Sequence, residues 1–244
     1  MREKEAGGAP RVSLVIPAFR EEERLPRYFP ELAAALADLP VGLLVVDDGS
    51  PAASFAALKA ALTPHLGAKH RVLRHEINRG KGAAIAFGLE HAGGEFFGFV
   101  DADGSIPAAE VRRFLLLGLE RQGWDMLLGS RVKMLGRSVE RSFWRHLTGR
   151  VFATMLSESF SIPVYDSQCG LKMFRSERYR AVKGLLTDQR WVWDSQLVIL
   201  FHRRGWRVEE VPIDWHDTPG SKIRVVRDGL RMWAGLRRFR RHNP

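Results

Sequence analysis

Apolar runs alternate with helical patterns along the first half of the chain. VSLVIP (12–17) is rich in β-branched residues and predicts a buried strand; a helical pattern over 22–38 follows, with Pro26 near its start. VGLLVVDD (41–48) predicts a second buried strand that ends on two acids. The next patterns are a helix over 54–66, a strand over 71–75 and an alanine-rich helix over 80–92 opened by glycines. A strand over 96–100, a helix over 108–121 and a strand over 125–130 complete this half. Strands apolar on both faces, alternating with helices, predict an α/β fold with a mostly parallel sheet flanked by helices.

The second half breaks the rhythm. Residues 137–160 predict a long amphipathic helix, with Arg137, Arg141, Arg145 and Arg150 among Phe143, Trp144, Leu147 and Phe152. A strand over 169–175, a helix over 194–204 and a strand over 206–213 follow. A last helix over 226–240 sets Leu230, Trp233, Leu236 and Phe239 along one broad face among arginines. There is no internal repeat, low-complexity stretch or linker. The expectation is one domain over 1–244 with a frayed tail at 1–10, whose second part builds over the sheet edge.

Composition narrows the class. At 45% hydrophobic and 27% charged, the chain reads as a soluble globular protein. Its single cysteine, Cys169, excludes an intrachain disulfide and suits a reduced, cytoplasmic setting. No apolar run reaches the length of a membrane span, and MREKEAGGAP lacks the apolar core of a signal peptide. The net charge of +10 is uneven: from Arg203 onward eleven lysines and arginines face five acids, which places +6 there. Such a surface attracts nucleic acid, anionic lipid or phosphorylated substrates.

The chemistry gathers at strand ends. FFGFVDADGSIPAAE (96–110) runs a buried strand into Asp101 and Asp103, with Pro107 suited to open the following helix. Two carboxylates two residues apart, at the carboxyl end of such a strand, stand where open α/β sheets place ligands. They repel each other and invite a cation, and hard oxygen donors suit Mg²⁺ or Mn²⁺ shared with substrate phosphates. Asp47 and Asp48 end the second strand, so a parallel sheet places all four acids on one rim. NRGKGAA (78–84) adds glycines and Lys81 at a strand-to-helix turn, where backbone N–H groups can approach a ligand. Arg131, after the fifth strand, is a cation suited to neutralising phosphates. A nucleic-acid-binding protein would explain +10, but acids on the rim would repel phosphates, so no nucleic acid is expected. His75, His91 and His216 lack metal-ligand spacing, and Cys169 reads as a packing residue.

These motifs carry a resemblance. VSLVIPAFREEERLP, LLVVDDGS, NRGKGAAIAFGLEHAGGEFFGFVDADGS and GSR resemble family 2 glycosyltransferases of the GT-A fold. DSQCGLKMFR, RWVWDSQL and IDWHDTPGSKI are similar to the subgroup that transfers sugar to polyprenyl phosphates. Within it, dolichyl-phosphate β-glucosyltransferases are most similar and dolichyl-phosphate mannose synthases next. The resemblance spans about Val12 to Trp233. It implies a GT-A (Rossmann-like) fold with a nucleotide-sugar-binding half over 12–131 and acceptor-side helices in 132–244. It implies an inverting hexosyltransferase using a nucleotide-diphosphate sugar, with UDP-glucose favoured over GDP-mannose, a divalent metal and a polyprenyl phosphate acceptor reached at an anionic membrane surface. A hydroxyl acceptor is the other enzyme reading.

The same resemblance implies residue roles. Pro17, Glu21 and Asp48 line the nucleotide pocket, and Lys81 lies in the loop beside base or ribose. Asp101 and Asp103 serve nucleotide and metal. Arg131, Lys172 and Lys222 contact phosphates of donor or acceptor, and Asp194 is an acid near the reacting centre. Two positions depart from the family pattern: Arg20 stands where asparagine is common, and Gln196 replaces a second acid after Asp194. A phosphate monoester is already an anion at neutral pH, so its transfer tolerates the absence of that acid.

Overall fold

The computed structural model describes residues 9–140, 154–218 and 234–241. The first half is β1 (Val12–Ala18), α1 (Leu25–Ala35), β2 (Val41–Asp48), α2 (Ala52–Leu62), β3 (Arg71–His75), α3 (Lys81–Glu90), β4 (Phe96–Val100), α4 (Ala108–Glu120) and β5 (Met126–Ser130). Each follows from its pattern in the sequence. Every residue of β2, β4 and β5 is buried, because helices cover both faces of the sheet. One core layer joins α1, α2 and α4 to one face through Phe29, Leu32, Leu58 and Phe114. The opposite layer holds Ala84, Ile85 and Leu89 of α3.

The second half comprises β6 (Val139–Glu140), α5 (154–160), β7 (Leu171–Arg175), α6 (Ser176–Val182), α7 (Trp193–Arg203), β8 (Val208–Pro212), β9 (Trp215–His216) and α8 (234–241). The main sheet has seven strands in the order β3-β2-β1-β4-β7-β5-β8. Strand β7 runs antiparallel to both β4 and β5, and the other pairings are parallel. The second half was expected to build over the sheet edge; β7 instead enters its middle. Its alternation explains this. Leu171 and Met173 fill one core layer and Phe174 the other, so the strand has an apolar surface for both faces. The true edges, β3 and β8, are the strands in which most positions are exposed or half-buried.

Two expected helices need correction or confinement. Val139 and Glu140 pair in parallel with Trp215 and His216, so the helix predicted over 137–160 does not start at 137. Residues 141–153, with Trp144, lie outside the described residues, and 154–160 is helical. Of the final predicted helix, 226–233 lies outside the described residues and 234–241 is helical. There the apolar face packs inward: Leu236 is 1% and Phe239 0% exposed, and Phe239 lies 6.2 Å from the Phe160 ring. Arg237, Arg238, Arg240 and Arg241 face outward. These two apolar residues are therefore not available to a lipid surface. Among the described residues no helix is long and apolar enough to cross a membrane.

Removal of a fully buried ring leaves a cavity that the surroundings refill only in part. Phe239→Ala is expected to lower unfolding free energy by about 3–5 kcal/mol in urea titration. A loss below about 1 kcal/mol would show that α8 is not docked on the core.

Candidate active site

Parallel pairing of β1 with β2 and β4 brings Pro17, Asp48 and Asp101 to one rim. They border a cleft of about 330 Å³, which is also lined by Glu21, Lys81 and Asp103. Trp191, just before α7, forms part of its wall. The site thus joins the ends of β1, β2 and β4 to an element from the second half of the chain.

At its floor, Lys81 is the first residue of α3. Its Nζ lies 2.7 Å from Asp101 Oδ1 and 3.3 Å from Asp194 Oδ2. Burial works against the ammonium, but the charges of Asp101 and Asp194 outweigh it and raise the Lys81 pKa above the ordinary lysine value. The resemblance put Lys81 beside base or ribose; here it bridges two carboxylates. Asp194 is 1% exposed, and its Oδ1 meets no hydrogen-bond donor among the described residues. Asp103 accepts the Ser105 N–H at 3.0 Å. Burial first, and the neighbouring Asp101 second, raise the Asp103 pKa. A carboxylate pair in that condition is stabilised by a cation, and Lys81 already holds one against Asp101. Among the described residues no three acids, histidines or cysteines converge as a self-sufficient metal cage. The donor set fits a cation that takes its remaining oxygens from a bound phosphate group.

Space for Asp101 is made by a glycine. A Cβ on Gly170 would stand 2.0 Å from Asp101 Oδ2, and the Gly170 carbonyl accepts the Asp101 N–H. The motif QCGLKMF thereby acquires a physical role: its glycine allows β7 to approach the acidic turn.

Asp48 organises the wall opposite. Its carboxylate accepts the backbone N–H groups of Arg79 at 3.0 Å and Gly80 at 2.7 Å, and His75 Nδ1 lies 2.9 Å away. Three of its roughly four acceptor positions are thus used within the protein. Asp47 was expected on the same rim, but its carboxylate is fully buried, bonded to the Ser50 N–H and near Arg74. Successive strand residues point to opposite faces, which separates the two acids.

The glycine-rich turn also differs from expectation. Its N–H groups do not face a vacant ligand position. Gly82 donates to Arg190 O and Ala83 to Gln189 O. A Cβ on Gly82 would meet the Trp193 side chain at 2.4 Å, and one on Gly80 would meet Gln189 O at 2.5 Å. The glycines let the segment before α7 seat on the start of α3, satisfying orphan helix N–H groups with carbonyls.

The predicted cations occupy three different situations. Arg131 holds Asp166 through two side-chain hydrogen bonds of 2.6 and 2.8 Å. Lys172 is fully buried, donates to Cys169 O at 2.8 Å and lies 5.1 Å from the Phe99 ring centre. Burial lowers its pKa, and its side chain has no exposed surface in this structure. Lys222 lies outside the described residues. Gln196 is also fully buried; its Oε1 accepts the N–H groups of Thr187 and Asp188, which fixes the loop leading to Trp191. Arg20 adopts a left-handed backbone with φ 55°, a conformation in which asparagine is less strained. Glu21 pairs with Arg24, which also lines the cleft. Arg24 and Trp191 lie inside the motifs VSLVIPAFREEERLP and RWVWDSQL, which gave neither of them a binding role, and folding brings both to the cleft.

Comparison with known proteins agrees with this architecture. Residues 13–181 match the family model described as Glycosyl transferase family 2. A dolichyl-phosphate beta-glucosyltransferase of Drosophila melanogaster is 30% identical over 237 residues, covering 92% of this chain and 73% of the relative. That of Dictyostelium discoideum is 25% identical over 240 residues, covering 94% and 73%. The crystal structure of glucosyl-3-phosphoglycerate synthase from Mycobacterium tuberculosis with Mn²⁺, uridine diphosphate and glucosyl-3-phosphoglycerate has a TM-score of 0.71. Its identity is 19%, and the match covers 94% of this chain and 80% of that one. The shared fold is the GT-A arrangement expected from the motifs.

Helix propensity alone favours Gly82→Ala by about 1 kcal/mol. The close approach of Trp193 argues the reverse, because an added Cβ forces the two halves apart. The expected result is net destabilisation of about 1–3 kcal/mol by chemical denaturation. Stabilisation would show that the 189–193 segment does not press on α3.

Proposed function

The chain belongs to glycosyl transferase family 2, and from that membership and the rim geometry we propose an inverting hexosyltransferase that moves glucose from UDP-glucose to a polyprenyl phosphate with a divalent metal. The observation that carries this reading is the pair Asp101 and Asp103 at the end of β4, with Lys81 as a cation already seated against it. Relatives named for action on dolichyl phosphate support the acceptor, and a structural neighbour holding uridine diphosphate and Mn²⁺ supports donor and metal classes.

Residue roles follow from position. Pro17, Glu21 and Asp48 border the part of the cleft that takes the nucleoside. Asp48 acts there chiefly by holding the turn at 79–80. Asp101 and Asp103 would hold Mg²⁺ or Mn²⁺ together with the donor diphosphate. Bound there, the metal would supply charge stabilisation for the departing diphosphate. An acceptor phosphate oxygen attacks the anomeric carbon, and the bond to the diphosphate oxygen breaks with its electron pair leaving on the nucleotide. The acceptor is already anionic, so positioning and charge balance outweigh proton abstraction. Asp194, buried and paired to Lys81, keeps that ammonium directed at the floor of the cleft. Arg131 supports the rim through Asp166. A water-insoluble acceptor brings the enzyme to the cytoplasmic membrane face, where exposed Arg237, Arg240 and Arg241 meet anionic lipid.

Nucleotide sugars presented with polyprenyl phosphate in vesicles and Mn²⁺ or Mg²⁺ test the reading. Lipid-linked glucose from UDP-glucose is expected, and it should vanish with chelator. GDP-mannose as sole donor, or glycosylation of a soluble hydroxyl compound alone, would replace the proposed substrates. Asp103→Asn is expected to reduce transfer at least about 100-fold. Its stability should move the other way. The folded-state pKa of Asp103 is raised, so its ionised form costs stability as pH rises above the unfolded value. The neutral isostere removes that cost, and the metal-free variant is expected to melt a few degrees higher at pH 7. Unchanged transfer in chelator would overturn the metal role.

A further inference from the structure

The loop between β5 and β6 ends in an uncovered apolar tip. Leu135 is 99% exposed and Met134 50%. Among the described residues four large apolar side chains stand exposed, and only these two are neighbours in sequence. The tip is an ordered turn. The Arg137 N–H donates to Met134 O at 3.2 Å, and Gly136 adopts the left-handed backbone, φ 81°, that such a turn needs at its third position. Nothing lies within 4 Å of where a Cβ on Gly136 would stand, so that side of the turn is open as well. Both ends of the loop are clamped to the fold. At one end Arg131 holds Asp166. At the other, Arg137 lies 3.4 Å from the buried Glu110, the Ser138 N–H donates to Asp214 Oδ1 at 2.8 Å, and Val139 pairs with Trp215.

Position and charge say what such a tip meets. Strands β4 and β5 both run antiparallel to β7, so they point the same way, and Asp101 and Arg131 leave the sheet on one rim. Only β7 separates them, two strand spacings or about 10 Å. The loop therefore starts from the rim that carries the acidic cleft. Residues 131–138 hold three cations and no acid. Arg131 and Arg137 are engaged by Asp166 and Glu110, whereas Lys133 is exposed and no acid among the described residues pairs with it. Glu140, the next acid along the chain, faces His216. Two adjacent apolar side chains held out in water gain nothing there, but a bilayer boundary accepts them, and the neighbouring ammonium matches anionic headgroups. A clamped turn also loses little freedom when it docks. The apolar face of α8 is packed inward and cannot serve in its place.

We propose that the Met134–Leu135 turn is a membrane-docking tip: its two side chains enter the headgroup boundary of an anionic bilayer, Lys133 meets lipid phosphate, and the rim bearing the cleft is set toward that surface. This rests on the polyprenyl phosphate reading and deepens it, because it names the part of the rim through which a water-insoluble acceptor is approached. Leu135→Ser removes the apolar contact at an exposed position and leaves core and cleft as they are. Leu135→Phe retains an apolar side chain. Cys169 is buried, and burial pushes its thiol up to about 11, so a thiol introduced by Leu135→Cys takes a label selectively.

Co-sedimentation with vesicles of phosphatidylglycerol and phosphatidylcholine in equal parts, without donor or acceptor, reads docking apart from turnover. At low salt the parent protein is expected to bind these vesicles and to prefer them to phosphatidylcholine alone. Leu135→Ser should weaken binding about tenfold, and Leu135→Phe should retain it. Lys133→Ala should weaken it about fivefold. An environment-sensitive fluorophore on the Leu135→Cys protein should shift to the blue when vesicles are added. In transfer assays Leu135→Ser should raise the vesicle concentration for half-maximal rate about tenfold with kcat unchanged, while its use of a detergent-dispersed prenyl phosphate stays within about twofold of the parent. No binding by the parent, equal binding by Leu135→Ser, or a label that stays in water on bound protein would overturn the docking. A dimer in analytical ultracentrifugation that Leu135→Ser dissociates would assign the tip to a second copy of this chain and overturn it too. Tip-dependent docking by a protein inert toward every polyprenyl phosphate would support the tip and defeat the acceptor reading alone.

Discussion

Lys81 brings three elements together at one point: α3, on which it stands, β4 through Asp101, and α7 through Asp194. Taking an ammonium out of water is costly, and only close opposite charge offsets that cost. The two carboxylates provide it, and in return neither is left as an uncompensated charge beside the other. Position and charge therefore depend on each other. Without the cation the floor of the cleft would be a cluster of mutually repelling acids, and α7 would lose a polar tie to the parallel half of the sheet.

That tie works because the backbones come unusually close. The turn at 78–82 and the segment at 189–193 meet with no room for a side chain at Gly80 or Gly82. On the other side of the rim, Gly170 makes the same allowance for Asp101. Both contacts join the first half of the chain to the second across a large sequence separation. Strand β7 completes the joint by running antiparallel through the middle of the sheet and feeding both core layers. The acidic rim of the first half and the described elements of the second half are thus packed directly against each other.

The site also shows where stability is given up for chemistry. Asp103 is held in a place that disfavours its charge, and Asp194 keeps one buried oxygen without a partner among the described residues. Lys172, in contrast, is a buried cation bonded to a carbonyl and set over an aromatic ring. Buried polar groups of this kind are expensive unless satisfied, and their concentration beneath one cleft marks the part of the molecule shaped by binding.

Much of this was legible before folding was considered. The strands of the first half are written as apolar runs that suit burial on two faces, so their positions and the α/β class follow from local pattern. Asp48, Asp101 and Asp103 sit at strand ends, and parallel pairing alone gathers them. The motif resemblance agrees with the family match over 13–181. What pattern could not supply was the partner of each polar group. Asp47 and Asp48 look alike in sequence and both are buried, yet the strand's twofold alternation sends Asp47 toward Ser50 and Arg74 and Asp48 toward the cleft. The resemblance gives Lys172 a phosphate to contact, but only the place of β7 at the centre of the sheet supplies its partners within the protein, Cys169 O and the Phe99 ring. The glycines of NRGKG read as a ligand cradle until the 189–193 segment arrives to fill it. Leu236 and Phe239 read as one apolar face of a helix, open to the core or to a membrane, until folding buries both and sets Phe239 against Phe160. Local sequence determines which surfaces must be buried and which chemistry stands at strand ends. Only tertiary contact decides what covers those surfaces and what neutralises those charges, because both depend on residues far apart along the chain.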